Sequence, residues 1–280
     1  MQLDPIEQLY KLSCRESSFR TTLYKLDPVL FRRFTTCLCC IRRSHGTRTA
    51  DHTNAYKRKS KENQVRDTIL CLCDLTGTMA RPWVENGYKA VLVDPQHGID
   101  HEDGAYLKLA RTIEEAFAQI SVLVRSGRLA FVAGFPPCTD MAVSGAQWFA
   151  RKYEADHMFQ AKAVSVAEQC RVIGEMSGVP YMVENPVSVL SNVFGKPSHT
   201  FDPCDYTRFA PEDNYTKKTC LWTGGGFRMP PRSQDMSLPA PDRNRIWYMS
   251  GKDRANNRSK TPLGFARAVY EVNQGKATEE

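Results

Sequence analysis

The apolar run Leu129 to Ala133 is halted by Gly134-Phe135-Pro136-Pro137 and followed at once by Cys138-Thr139-Asp140. Such a run between turn signals predicts a short buried strand. Proline lacks an amide donor and has a fixed φ, so a Pro pair cannot continue a central strand. The chain must leave the sheet there and carry Cys138 on a stiff loop at the strand's C-terminal edge. In open α/β sheets that edge is where ligands bind. A cysteine that only fills core needs no such loop, so Cys138 reads as a nucleophile.

The flanking sequence predicts a sheet of this kind. Thr68 to Cys73 reads as a strand, Asp74-Leu75-Thr76-Gly77-Thr78 as the turn after it, and Arg81 to Gly87 as a short helix. Tyr88 to Val93 reads as a second strand, closed by Asp94. Strand, Gly turn, helix, strand, acid is the nucleotide-binding half of a doubly wound sheet, although one Gly stands where dinucleotide binders have three. Thr112 to Val124 has helical spacing, with Ile113, Phe117, Ile120 and Val124 on its apolar stripe. A long helix is expected from about Tyr153 to Met176, then a buried strand Val179 to Val183 closed by Glu184-Asn185-Pro186. Residues 195–245 read as loops and short strands, and Thr261 to Val272 as a closing helix.

Two strand ends, at Cys138 and Glu184, could therefore meet at one edge. A thiolate beside a carboxyl group that carries a proton suits chemistry on an electron-poor ring. Cytosine C5 is a poor nucleophile. A thiolate adding at C6 while an acid protonates N3 makes C5 enamine-like. Asn185 is placed to hold the acid or the base edge.

The rest of the chain sets bounds. Hydrophobic content is 41% and charged content 25%, as in ordinary globular domains. No apolar run approaches membrane-spanning length, and the start lacks a signal-peptide pattern. The ten cysteines are scattered, which favours a reducing cytoplasm. Residues 1–66 carry 14 Lys and Arg against 6 Asp and Glu, and the remainder 24 against 25, so the net charge of +7 comes from the first quarter. Such a segment suits a polyanionic partner, or serves as a solvated tail. Within it, short helices are expected over Pro5 to Leu12 and Pro28 to Leu38, and a linker over residues 42–66. Cys14, Cys37, Cys39, Cys40, His45 and His52 raise the question of zinc, but Cys-x-Cys-Cys is not the paired Cys-x₂-Cys of common sites, and no metal is assigned.

These motifs together resemble the DNA cytosine-5 methyltransferases, in particular the compact versions of phages and prophages, over about residues 68–272. Gly134 to Cys138, with Thr139 to Gly145, resembles the nucleophile motif. Glu184-Asn185-Pro186 resembles the Glu-Asn-Val acid motif. Asp74-x-x-Gly77 and Asp94 resemble the S-adenosylmethionine site, and Arg258-Ser259-Lys260-Thr261-Pro262-x-Gly264 the C-terminal segment that folds back onto it. The resemblance implies a Rossmann-like fold with a mostly parallel sheet and a small irregular target-recognition region. It implies Cys138, Glu184 and Asn185 as catalytic residues. For the absent Gln-x-Arg-x-Arg motif the candidates are Lys217 and, as a rival, Arg245. Asp74, Leu75, Gly77, Asp94, Asp100 and Pro136 would contact the cofactor. Leu75-Thr76 and Thr78-Met79 depart from the family's usual Phe and second Gly.

The implied partner is DNA, with its cytosine flipped into the site, in a bacterial or phage-infected cytoplasm. The implied layout is a basic extension over residues 1–66, a catalytic domain over 67–272 with a target-reading insert at about 187–250, and a tail over 273–280. Two alternatives remain. One is pyrimidine C5 chemistry on RNA or a free nucleotide, since thymidylate-synthase-like enzymes also use Pro-Pro-Cys. The other is a nucleic-acid-binding protein that kept the fold and lost turnover.

Overall fold

The computed structural model describes residues 65–252 and 254–274. The expected N-terminal helices, the linker, Cys14, Cys37, Cys39, Cys40, His45 and His52 lie outside the described residues, as does most of the tail.

In chain order the main elements are β1 (Thr68–Leu72), α1 (Arg81–Glu85), β2 (Lys89–Val93), β3 (His101–Asp103), β4 (Tyr106–Leu109), α2 (Phe117–Arg125) and β5 (Leu129–Gly134). Then follow α3 (Phe149–Ala155), α4 (Phe159–Ser177), β6 (Tyr181–Pro186), α5 (Leu190–Val193), β7 (His199–Phe201), β8 (Thr219–Gly224), α6 (Arg245–Tyr248), α7 (Arg254–Ser259) and α8 (Leu263–Asn273). The strands form one mostly parallel sheet in the order β3-β4-β2-β1-β5-β6-β8-β7. Contacts β4/β2, β2/β1, β1/β5 and β5/β6 are parallel, and β3/β4, β6/β8 and β8/β7 antiparallel. From β1 the chain winds outward through β2 to β4, then returns to the other side of β1 as β5. Strand order therefore reverses between β1 and β5, and the crevice at their C-terminal ends is the expected ligand position.

The sequence dictates this architecture through strands that are apolar throughout. β1 and β5 are buried along their whole length, as strands covered on both faces must be. Side chains alternate between faces. On one face Ile69, Cys71, Leu92, Phe131 and Met182 share a core with Trp83 of α1 and Phe265 and Val269 of α8. On the other, α4 lies so close that a Cβ on Gly134 would come within 2.6 Å of Cys170 Cβ, and one on Gly174 within 2.5 Å of the Tyr181 ring. Among the described residues no helix is long and apolar enough to cross a membrane.

Several expectations need correction. The strand expected at Val179 to Val183 runs from Tyr181 to Pro186. Its parallel pairing with β5 ends at Gly134–Val183, but Glu184, Asn185 and Pro186 continue against Leu221, Cys220 and Thr219 of β8. Glu184-Asn185-Pro186 is thus a strand paired on one side only, where the missing proline N–H is tolerated. The long helix splits at Asp156. Its backbone is extended, and its Oδ1 accepts from Met158 N at 2.9 Å in place of a helical bond. Thr112 to Ala116 is a turn closed by reciprocal Thr112–Glu115 hydrogen bonds, so α2 starts at Phe117, whose side chain faces solvent rather than core. The β3–β4 hairpin, turning at Gly104 (φ 60°), was not anticipated, although Asp103-Gly104 is a hairpin signal.

Candidate active site

Five chain segments bring polar groups to the C-terminal edge of the sheet. After β1 the chain passes through Cys73, which has a left-handed φ of 56° that non-glycine residues rarely adopt. It then turns on Asp74. Asp74 Oδ1 accepts from the Thr76 and Gly77 backbone N–H groups, both at 2.9 Å, and from Thr76 Oγ1 at 3.1 Å. The turn needs Gly77. Its φ is 66°, and a Cβ there would sit 3.0 Å from Leu92 Cδ1. Asp74 is buried, and its second oxygen has no partner. Burial pushes this carboxyl above its ordinary range, against the pull of the Gly77 and Thr76 donors. Leu75 lies partly exposed at the tip.

Asp94 ends β2, is buried, and caps the following turn by accepting from Gln96 N at 2.8 Å. His97 in that turn has a buried, unpartnered Nε2, and burial lowers its imidazole pKa. Asp100 is committed internally. It accepts from Ala110 N at 2.8 Å and Arg111 Nε at 2.9 Å, which fastens the chain leading into β3 to the end of β4.

After β5 the two prolines hold the chain off the sheet, with Pro136 buried and Pro137 exposed. Cys138 is partly buried, and its carbonyl accepts from Met141 N (3.0 Å) and Ala142 N (2.8 Å). Two sets of contacts stitch this loop to β6. Asn185 Nδ2 donates to Pro136 O at 3.0 Å, fully buried. Beyond them, Ala142 bridges Ser188, Val143 N donates to Val187 O, and Val189 N donates to Met141 O. The Cys138 loop and the Glu184 strand are therefore one mechanical unit. Asn185 Oδ1, like Asp74 Oδ2, is buried without a partner. Buried polar atoms are rarely left so. Three of the four such side-chain atoms among the described residues, on Asp74, His97 and Asn185, belong to this edge.

Glu184 and Lys217 complete the group. Their side chains are 13% and 11% exposed, with Lys217 Nζ 3.9 Å from Glu184 Oε1. Burial raises the Glu184 carboxyl above its usual range, and the Lys217 ammonium opposes that shift. The Cys138 thiol is pushed up first by burial and then by the Glu184 charge, while Lys217 and Arg258 pull it down. Thiol, carboxyl and ammonium thus act on one another. Lys217 Nζ also donates to Lys260 O at 3.4 Å, which fixes the C-terminal segment beside the site.

Of the two candidates for the absent basic motif, Lys217 stands at the carboxyl group. Arg245 instead lies over the Tyr215 ring at 4.5 Å and donates to Glu212 O at 2.6 Å. Sequence reasoning missed Tyr215, a buried tyrosine whose hydroxyl is pushed up to about 12, chiefly by burial, with Asp213 and Glu184 adding to it. Its position two residues before Lys217 was the available signal. It also missed Asn256, whose Nδ2 donates to Gln96 Oε1 at 3.2 Å and ties α7 to the turn after Asp94. Among the described residues no group of three or more His, Cys, Asp or Glu side chains is placed to hold a metal ion.

No protein-family model matches the chain, and no curated protein matches it.

Proposed function

We propose that the protein methylates C5 of cytosine in DNA, with S-adenosylmethionine as donor. The observation that carries this reading is the Asn185–Pro136 hydrogen bond, which holds the Cys138 loop and the Glu184 strand together with Lys217 against the carboxyl group. A nucleophile and an acid that must work on C6 and N3, at opposite positions of one ring, need that fixed relation.

The residues fit the cofactor. Asp74 Oδ2 is a buried acceptor lacking a donor, Gly77 keeps side-chain bulk out of the turn, and Asp94 stands at the strand end where ribose hydroxyls are gripped. Asp74, Leu75, Gly77, Asp94 and Pro136 would hold it, whereas Asp100 is occupied with Arg111. When bound, S-adenosylmethionine supplies an electrophilic methyl group.

The protein's own residues activate the base. The cytosine must leave the stack to reach a thiol on this loop. As the thiolate, Cys138 Sγ adds to C6, forming the S–C6 bond and breaking the C5–C6 π bond. That electron pair moves into a C4–C5 enamine as the C4–N3 π pair takes the proton that Glu184 delivers to N3, which leaves C5 nucleophilic. A carboxyl group whose proton affinity is raised by burial is suited to that step. Lys217 offsets the carboxylate charge left afterwards. Asn185 positions both partners through Pro136.

Incubation with methyl-labelled S-adenosylmethionine and DNA, then nucleoside analysis, tests the proposal. The expected product is labelled 5-methylcytosine. Cys138→Ser should reduce it to background while cofactor binding is retained, because a hydroxyl is far less acidic than a thiol. Full activity in the serine variant would remove Cys138 as nucleophile.

A further inference from the structure

Residues 243–260 leave two large aromatic rings in water beside the site. Trp247 and Tyr248, adjacent on the single turn α6, are 75% and 74% exposed, whereas Trp83 and Trp222 are buried. In sequence this stretch carries Arg243, Arg245, Lys252, Arg254, Arg258 and Lys260 against a single acid, Asp253.

The stretch is tied to the candidate site at both ends. At its start, Asp242 N donates to Asn214 O and Thr216 N donates to Asp242 O, both at 3.1 Å, one residue short of Lys217. Arg245 is held on Tyr215. At its end, Lys260 O accepts from Lys217 Nζ, Asn256 reaches Gln96, and Arg258 acts on the Cys138 thiol. The basic stretch that carries the two exposed rings is therefore anchored to the thiol–carboxyl group through Arg245, Asn256, Arg258 and Lys260.

We infer that Trp247 and Tyr248 form a stacking surface for unpaired bases of the DNA strand whose cytosine enters at Cys138. Cations along a groove track phosphates, and aromatic rings stack on bases of any identity. Stacking needs a free base face. A duplex buries those faces between neighbouring pairs, so the surface selects DNA that is single-stranded, or opened, next to the target. The inference rests on the proposed reaction for which base lies at Cys138. The surface itself is tested without any reaction.

The test is fluorescence anisotropy with a labelled single-stranded oligodeoxynucleotide and its duplex, using full-length protein carrying Cys138→Ser so that no chemistry intervenes. Adding Trp247→Ala and Tyr248→Ala should weaken single-strand binding by roughly tenfold or more, since each stacked base is worth about 1–3 kcal/mol. Duplex binding should change less. The salt dependence should keep its slope, because phosphate contacts survive. Trp247→Phe with Tyr248→Phe should restore most of the affinity. Unchanged single-strand binding, equal loss on duplex, or no rescue by Phe would overturn the inference. So would ring-dependent binding to anionic lipid vesicles with ring-independent binding to DNA, which would make this a membrane-facing patch. Ring-dependent DNA binding by a protein whose parent form transfers no methyl group supports the surface and sinks the proposed reaction. Ring-independent binding by an active methyltransferase does the reverse.

Discussion

At the scale of single residues, the proposed chemistry turns on charges that act on one thiol. Ionised Glu184 raises the Cys138 pKa, and Lys217 and Arg258 lower it. Removing each charge should therefore change thiol reactivity in opposite directions. Glu184→Gln should speed alkylation of Cys138 at neutral pH even as it slows methyl transfer by two or more orders of magnitude, the scale of a positioned acid. Lys217→Met should slow alkylation. Well below the thiol pKa, about 1.4 kcal/mol of interaction with the thiolate changes its population tenfold, so effects of a few-fold to about tenfold are expected. The sign with pH follows. As pH falls through the raised Glu184 pKa, the wild-type carboxyl becomes neutral, and the difference from the Gln variant should close. Peptide-resolved mass spectrometry after timed alkylation isolates Cys138 from the other cysteines. Equal rates in all three proteins across the pH range would mean that neither charge acts on the thiol, and that Glu184 is not the paired acid.

At the scale of elements, Gly134 joins the sheet to the Cys138 loop. A methyl group there would meet Cys170 Cβ at 2.6 Å, an atom carried directly by the backbone of α4 and unable to swing aside. Gly134→Ala should therefore cost about 1–3 kcal/mol and displace the loop that begins one residue later. The check is the midpoint of urea unfolding together with Cys138 alkylation. An unchanged midpoint would mean that α4 shifts freely on the sheet. This part of the design was readable beforehand. Unbroken apolar runs marked β1, β2 and β5, and Pro136-Pro137 marked the exit of Cys138, because both signals are local. The strand character of Glu184 to Pro186 was not readable, since its partner Thr219 to Leu221 arrives more than thirty residues later and without it the motif looks like a turn. Nor was the role of Asp100, which Arg111 takes up across the end of the β4 strand. Acids at strand ends look alike in sequence until their partners are placed. Lys217 and Arg245 looked equivalent for the same reason, and only pairing through β8 puts Lys217 at the carboxyl group.

At the scale of the whole molecule, charge is divided between two stretches. The first 66 residues hold a balance of +8, and within the otherwise acidic remainder basic residues concentrate at 243–260, where Arg258 acts on the Cys138 thiol. If the first segment engages phosphates, deleting it should weaken DNA binding broadly with little change in which sequence is preferred, because phosphate contacts carry no base code. Each lost contact removes about 0.7 from the log–log salt slope on a single strand and about 0.9 on a duplex. A balance of +8 spread over 66 residues supplies a few such contacts and not eight, so a slope reduction of about 2–3 is expected. Methylation of saturating DNA should survive, since Cys138, Glu184, Lys217 and the Asp74 turn all belong to the unit formed by residues 66–280. The measurement is binding of full-length and truncated protein at several salt concentrations. Identical slopes would make the segment a solvated tail and leave the cations of 243–260 as the main phosphate contacts. Loss of the cooperative unfolding transition on truncation would instead make the segment part of what holds the sheet together.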